Sequence, residues 1–225
     1  MTTYEKALAL WKRKNVQTDA ELAEALNGHS IAFAYHSGKM ENDHITYHDT
    51  REIFEHDGVT GYTGDLRTLF EIRNAKEAYE LFLCAFRDKR PLDEAFIREL
   101  QYQLTQSEVG AALEDVAAEM SELLEELQDI TPDNTLTVAA CFHAKFENIH
   151  PFADGNGRVG RLAMNYFLVL HGHPPIVIHE EDRRAYYEAL EAWDERQDLT
   201  PLCAFLRTQT AKTWKKQIAR MKEQL

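Results

Sequence analysis

His150-Pro151-Phe152-Ala153-Asp154-Gly155-Asn156-Gly157-Arg158-Val159-Gly160-Arg161 decides the reading of this chain. The residues before it, Thr135 to Ile149, place apolar side chains at 138, 142, 146 and 149, the stripe of a helix with one buried face. Pro151 disfavours helical backbone at His150, so that helix should stop there and leave His150 at the mouth of a loop. Leu162, Tyr166 and Leu170 restart a helical period, which predicts a second helix opening near Asn156. Two helices joined by a polar loop are the result.

The loop residues suit the handling of phosphates. Gly155 and Gly157 lack a Cβ, so their amides can approach a ligand closely. A helix start offers unpaired N–H groups and a positive dipole end. Arg158 and Arg161 are three apart and share a face near that start, where guanidinium groups bind phosphate oxygens in pairs. Asp154 supplies a hard oxygen for Mg²⁺, and His150 is a candidate general base, because imidazoles titrate near neutral pH. The plain alternative is an N-capping Asp154, a turn at Gly155-Asn156-Gly157 and two solvated arginines.

The string resembles the signature of the Fic (AMP-transferase) family, His-Pro-Phe-x-Asp/Glu-Gly-Asn-Gly-Arg-x-x-Arg, at every defined position. That resemblance implies an all-α, Fic-type helical bundle that transfers AMP from Mg²⁺-ATP to a Ser, Thr or Tyr hydroxyl of a protein. The target is a partner or the chain itself. It implies that His150 deprotonates the hydroxyl, Asp154 holds Mg²⁺, Gly155 belongs to the nucleotide loop, Asn156, Gly157 and Arg158 cradle the α- and β-phosphates, and Arg161 reaches the γ-phosphate. Phe152 would anchor the loop in the core. Related Doc-type kinases carry Lys at the position of Gly157, so Gly157 favours adenylyl over phosphoryl transfer. Dimerisation is common in the family.

A second string, Ser37-Gly-Lys-Met-Glu41-Asn42, fits the inhibitory pattern Ser/Thr-x-x-x-Glu-Gly/Asn of Fic proteins. It closes a helix-compatible run, Ser30 to His36, N-terminal to the catalytic motif. The resemblance implies that Glu41 pairs with Arg161 and fills the space of the γ-phosphate, as in the class that carries its inhibitory helix in cis. The plain alternative is a Ser and a Glu on a surface helix. Two other activities stay open: removal of AMP from a modified protein, with Glu41 positioning a water, and a non-catalytic ATP-binding interaction module.

Bulk properties set the limits. The 225 residues suffice for one large domain, read as N-terminal helices with the inhibitory segment over 1–60 and a catalytic core over 61–225. A net charge of −13 argues against binding nucleic acid or an anionic membrane surface, and no segment is apolar enough to span a bilayer. Met1 to Lys6 shows no secretion pattern, and Cys84, Cys141 and Cys203, without CxxC spacing, read as buried thiols of a cytoplasmic protein.

Nearly all the remaining chain reads as helix. Runs begin at Tyr4, at the capping box Thr18-Asp-Ala-Glu21, at Asp65, at Pro91, along Val116-Met120-Leu124-Leu127, at Asp182 and at Pro201. Only Thr105 to Leu113 separates two of these helices, which predicts a shortened or absent β-hairpin flap, the element that grips the target in Fic enzymes. The segment Arg183 to Leu190 resembles the family's adenine-contacting region, so Tyr186 or Tyr187 is its candidate aromatic, and Asp194 stands where relatives carry Asn. Packing of the same tyrosines within the helix is the alternative. Scattered histidines and the Lys212–Lys222 stretch read as solvated surface.

Overall fold

The computed structural model describes residues 1–106, 116–127, 130–131 and 133–222. Within them run eleven α-helices: α1 (Thr3–Lys14), α2 (Asp19–Ala25), α3 (His29–Lys39), α4 (Tyr47–His56), α5 (Leu66–Arg87), α6 (Glu94–Thr105), α7 (Ala117–Glu126), α8 (Thr135–Ile149), α9 (Asn156–Leu170), α10 (Arg183–Arg196) and α11 (Thr200–Lys222). A 3-10 turn, Glu180–Asp182, leads into α10. No strand occurs among the described residues, as an all-α fold requires. The shortened flap expected over Thr105 to Leu113 lies, from residue 107 on, outside the described residues. None of the described helices is long and apolar enough to cross a membrane.

Local chemistry sets most helix starts. At α2 the Thr18 hydroxyl accepts the Glu21 N–H at 3.2 Å, and the Glu21 carboxylate accepts the Thr18 N–H at 3.0 Å. The helix expected at Pro91 begins instead at Glu94, because the Asp93 carboxylate accepts the Phe96 N–H at 2.8 Å and caps it there.

α8 and α9 form the centre. α9 is buried from Val159 to Val169, and α8 buries Leu136, Ala139, Ala140, Phe142, His143, Ala144 and Phe146. The single stripe expected for α8 is therefore too narrow, with Val138 and Ile149 only partly buried. The reason is tertiary: α9 covers one side, while α7, α10 and α11 cover others. Small residues allow the close approach, since a Cβ on Gly160 would sit 3.0 Å from the Phe146 ring. On α9's other flanks pack α3, α5 and α6. One apolar core runs from Ala7 to Ile218, with Trp11 and Trp214 edge-on at 5.3 Å between α1 and α11.

The irregular run after α9 is buried, so its backbone needs side-chain partners. Asn165 meets both the N–H and the carbonyl of Ile176, at 2.6 and 2.9 Å, and Trp214 donates to the Pro175 carbonyl at 2.9 Å. Three expectations about burial need correction: the sequence puts the cysteines inside, and His173 and the Lys212 stretch outside. Cys84 is exposed and only Cys203 is fully buried. His173 is buried between the Tyr4 hydroxyl and the Pro174 carbonyl. Lys212 binds Glu181 and Asp182, each at 2.7 Å, and so ties α11 to the turn before α10.

The loop between α8 and α9 is held from inside. Phe152 is buried against Phe146, and the Asn156 side chain spans the loop. It accepts the Phe152 N–H at 2.9 Å and donates to the Phe152 carbonyl at 2.6 Å. Asn156→Ala would orphan both groups, a cost of about 2–4 kcal/mol measurable by urea unfolding. Stability equal to wild type would show that the loop needs no such clamp.

Burial also makes the fold acid-sensitive. Desolvation pushes His29 and His143 down to about 3 and His173 to about 4, from an ordinary 6.5. Depressed folded-state values mean stability that is present above pH 6.5 and lost as pH falls toward 4. The melting temperature should therefore drop steadily between pH 7 and pH 5. A flat profile would mean that these rings are protonated without cost in the folded state.

Candidate active site

The site gathers at the α8–α9 loop. His150 ends α8 in left-handed backbone, φ 53°, with its N–H bonded to the Phe146 carbonyl at 3.0 Å, and its side chain is exposed. Gly155 is the N-cap of α9, at φ 85°, and a Cβ there would also strike the Thr105 methyl at 2.7 Å. No side chain caps α9, so its first N–H groups remain open to an anion. Asp154 is not the cap: its carboxylate accepts the neighbouring Gly155 N–H at 2.7 Å and remains largely exposed.

The two arginines are buried, not solvated. Arg158 reaches both Asp154 oxygens at 3.3 Å and the Leu104 carbonyl at 3.5 Å, all long contacts, and its Nε has no partner. Arg161 is 2% exposed. Its Nε donates to the Ser37 hydroxyl at 2.9 Å, and one terminal nitrogen donates to the Ser37 carbonyl at 3.0 Å and to the Glu41 carboxylate at 2.7 Å. Burial works against the Arg161 charge, but Tyr186, Glu41 and Glu147 outweigh it and hold its pKa above the ordinary arginine value.

The structure thus brings Ser37 and Glu41 onto the second arginine of the motif. Ser37 lies on α3, but Glu41 and Asn42 occupy the turn beyond its end, where both N–H groups bond to the Gly38 carbonyl at 3.0 and 2.9 Å. Asn42 fixes that turn by accepting the His44 N–H at 2.9 Å and donating to Glu71 at 2.6 Å and Thr68 at 3.1 Å on α5. A small cluster of Ile45, Ile53 and Ile72 seats the chain that follows. Gly157 makes the close approach possible, because a Cβ there would lie 2.6 Å from a Glu41 oxygen and 2.9 Å from Arg161.

Of the two tyrosines, Tyr186 is fully buried with its hydroxyl 2.6 Å from His143 Nε2, whereas Tyr187 is 41% exposed. Tyr187 shares a surface cleft with Glu147, Leu190 and Asp194, and Asn148 donates to Asp194 at 3.0 Å. Sequence reasoning missed Glu147, His143 and the Leu104 carbonyl. Only the helical period of α10, in which Tyr186 falls in line with Ala189 and Leu190, was available to separate the tyrosines.

Comparison with known proteins agrees with this geometry. A model of the Fic/DOC family matches residues 19–168. The protein adenylyltransferase Fic of Nematostella vectensis is 30% identical over 200 residues, covering 80% of this chain and 46% of the relative. That of Drosophila erecta is 27% identical over 222 residues, covering 88% and 43%. The chain thus spans a little under half the length of these curated relatives. Among solved structures, a Fic domain-containing signaling protein from Bacteroides thetaiotaomicron superposes with a TM-score of 0.81 at 24% identity, over 99% of this chain and 97% of that one. Fic-1 from C. elegans gives 0.79 at 22% identity, over 96% and 70%. These two share the fold. Helix arrangement, loop and matched residues lead to one conclusion: the chain belongs to the Fic/DOC family.

Proposed function

We propose that this protein is an adenylyltransferase that moves AMP from ATP to a protein hydroxyl and that Ser37 and Glu41 restrain it in cis. The observation that carries the reading is the seat of Arg161, a buried cation whose Nε and one terminal nitrogen are bonded to the chain's own serine and carboxylate. A γ-phosphate offers the same kind of acceptor and competes for the same donors. The names of the relatives, protein adenylyltransferase Fic, support the chemistry.

In the working form Glu41 withdraws and the triphosphate lies along the start of α9. Arg158, with an unpartnered Nε and long contacts, turns to the phosphates, together with the uncapped N–H groups. The target hydroxyl attacks the α-phosphorus, a new P–O bond forms, the bond to the bridging oxygen breaks and pyrophosphate leaves. Exposed His150, at the loop entrance, takes the hydroxyl proton. Asn156 acts by holding the loop, since its side chain is engaged with Phe152.

Asp154 fits a Mg²⁺ site. Its carboxylate is 62% exposed, and Mg²⁺ takes one or two carboxylates with phosphate oxygens and waters. When bound, that ion neutralises phosphate charge. Asp154→Ala should weaken ATP binding in Mg²⁺ and remove its dependence on Mg²⁺, as titration calorimetry would read.

The decisive test uses ATP labelled at the α-phosphate with wild type, Glu41→Gly and Glu41→Gly/His150→Ala, each alone and with cell-extract proteins. Glu41→Gly should label itself or a target at least about tenfold more than wild type, and the double variant should lose the label while still binding ATP. Equal labelling by wild type and Glu41→Gly would sink the cis-inhibition reading. Labelling that survives in the double variant would remove His150 as the base.

A further inference from the structure

Glu147 lies one turn before His150 on α8, and the phosphate chemistry leaves it unused. Its side chain is 18% exposed, and Oε1 is buried without a hydrogen-bond partner. Gly160 makes room for it, because a Cβ there would lie 2.8 Å from that oxygen. The groups around it are Arg161 from α9, Glu41 from the turn after α3, Asp194 and Tyr186 from α10, and His143, 3.9 Å away on its own helix. Burial pushes its carboxyl up to about 7 against the pull of Arg161, with Glu41 and Asp194 pushing the same way. Oε1 is shut in against Gly160, and Oε2, on the part of the side chain that is still exposed, is the acceptor open to a partner.

The surroundings indicate what that partner is. Glu147 lines the cleft with Tyr187, Glu188, Leu190, Glu191 and Asp194. Arg184, the cation among the lining residues, is bonded to Glu188 at 2.7 Å. An acidic cleft repels a triphosphate, whereas the start of α9 with Arg158 and Arg161 attracts one. This separation of charge orients a bound nucleotide with its phosphates on α9 and its nucleoside in the cleft. Tyr187 offers an aromatic face for the base. The nucleoside also brings donors, the ribose hydroxyls and the base amine. One oxygen stays enclosed against Gly160 however the carboxylate turns, so the acceptor for such a donor is the other, on the part of the side chain that is still exposed.

We propose that Glu147 is a specificity residue for the nucleoside half of ATP, accepting a hydrogen bond from a ribose hydroxyl or from the exocyclic amine of the base. The proposal rests on the adenylyltransferase reading above. It distinguishes Glu147 from a structural carboxylate, which would change stability and leave ligand preference alone.

The test is calorimetric binding of ATP, 2′-deoxy-ATP, 3′-deoxy-ATP and purine riboside triphosphate (which lacks the amine), with Mg²⁺, in the Glu41→Gly background. At least one analogue should bind about tenfold or more weakly than ATP, and Glu147→Ala should shrink that gap to about twofold or less. Glu147→Gln, which keeps a carbonyl acceptor and most of the shape, should retain part of the gap. The deoxy arms report a hydroxyl as the donor, and the purine arm reports the amine. Equal binding of all four ligands by the Glu41→Gly parent, or a gap unchanged by both Glu147 substitutions, overturns the role of Glu147 alone. Absence of ATP binding by the parent overturns it together with the adenylyltransferase reading.

Discussion

The buried charge of Arg161 is the constraint to which the rest of the molecule answers. A guanidinium this enclosed is costly without hydrogen-bond and charge partners. Ser37 supplies two acceptors and Glu41 supplies the counter-charge, so α3 must lie against α9 and the turn after it must be held in place. The Asn42 bonds to α5 and the isoleucine cluster around Ile45 do that holding. The same donors suit a phosphate oxygen, and in the proposed mechanism restraint and substrate binding are two occupants of one seat. Glu41 is the replaceable partner because its side chain is 38% exposed, while Ser37 is buried in the helix contact.

Unpartnered buried polar atoms are unevenly spread over the fold. Among the described residues, five buried side-chain atoms have no partner: His143 Nδ1, Glu147 Oε1 and Arg158 Nε lie on the two helices that carry the motif, and His29 Nε2 and Gln217 Oε1 lie on α3 and α11. Such atoms cost stability, and three of the five are carried by the helices that flank the loop. Charge is sorted along the same surface, with guanidinium groups and open N–H groups at the start of α9 and carboxylates along α10. The proposed orientation of a nucleotide rests on that sorting.

Much of this was legible in the chain, and the readable parts share a property. The Thr18–Glu21 capping box, the end of α8 before Pro151 and the start of α9 at Asn156 depend on residues within a few positions of each other. Where a second local signal competed, the reading slipped, as at Pro91, which gave way to the Asp93 cap. Where burial came from several neighbours at once, periodicity failed. α8 showed one stripe in sequence and is covered on several sides in the structure, and Tyr186 and Tyr187 differ only in which helix face meets the core. Glu147 had no sequence signal because an exposed helix carries the same residue type.

The sequence by itself determined the helices, their ends and the inventory of chemical groups in the loop, since caps, proline geometry and glycine conformations act over a few residues. Tertiary structure alone decided that Arg158 and Arg161 are buried, that Tyr186 faces inward and Tyr187 outward, and that an orphan carboxylate floors the cleft beside them. It also decided that Glu41 reaches an arginine 120 positions away across the α3–α9 contact. Such outcomes depend on which surfaces a packed core brings together, and no span of neighbouring residues contains that information.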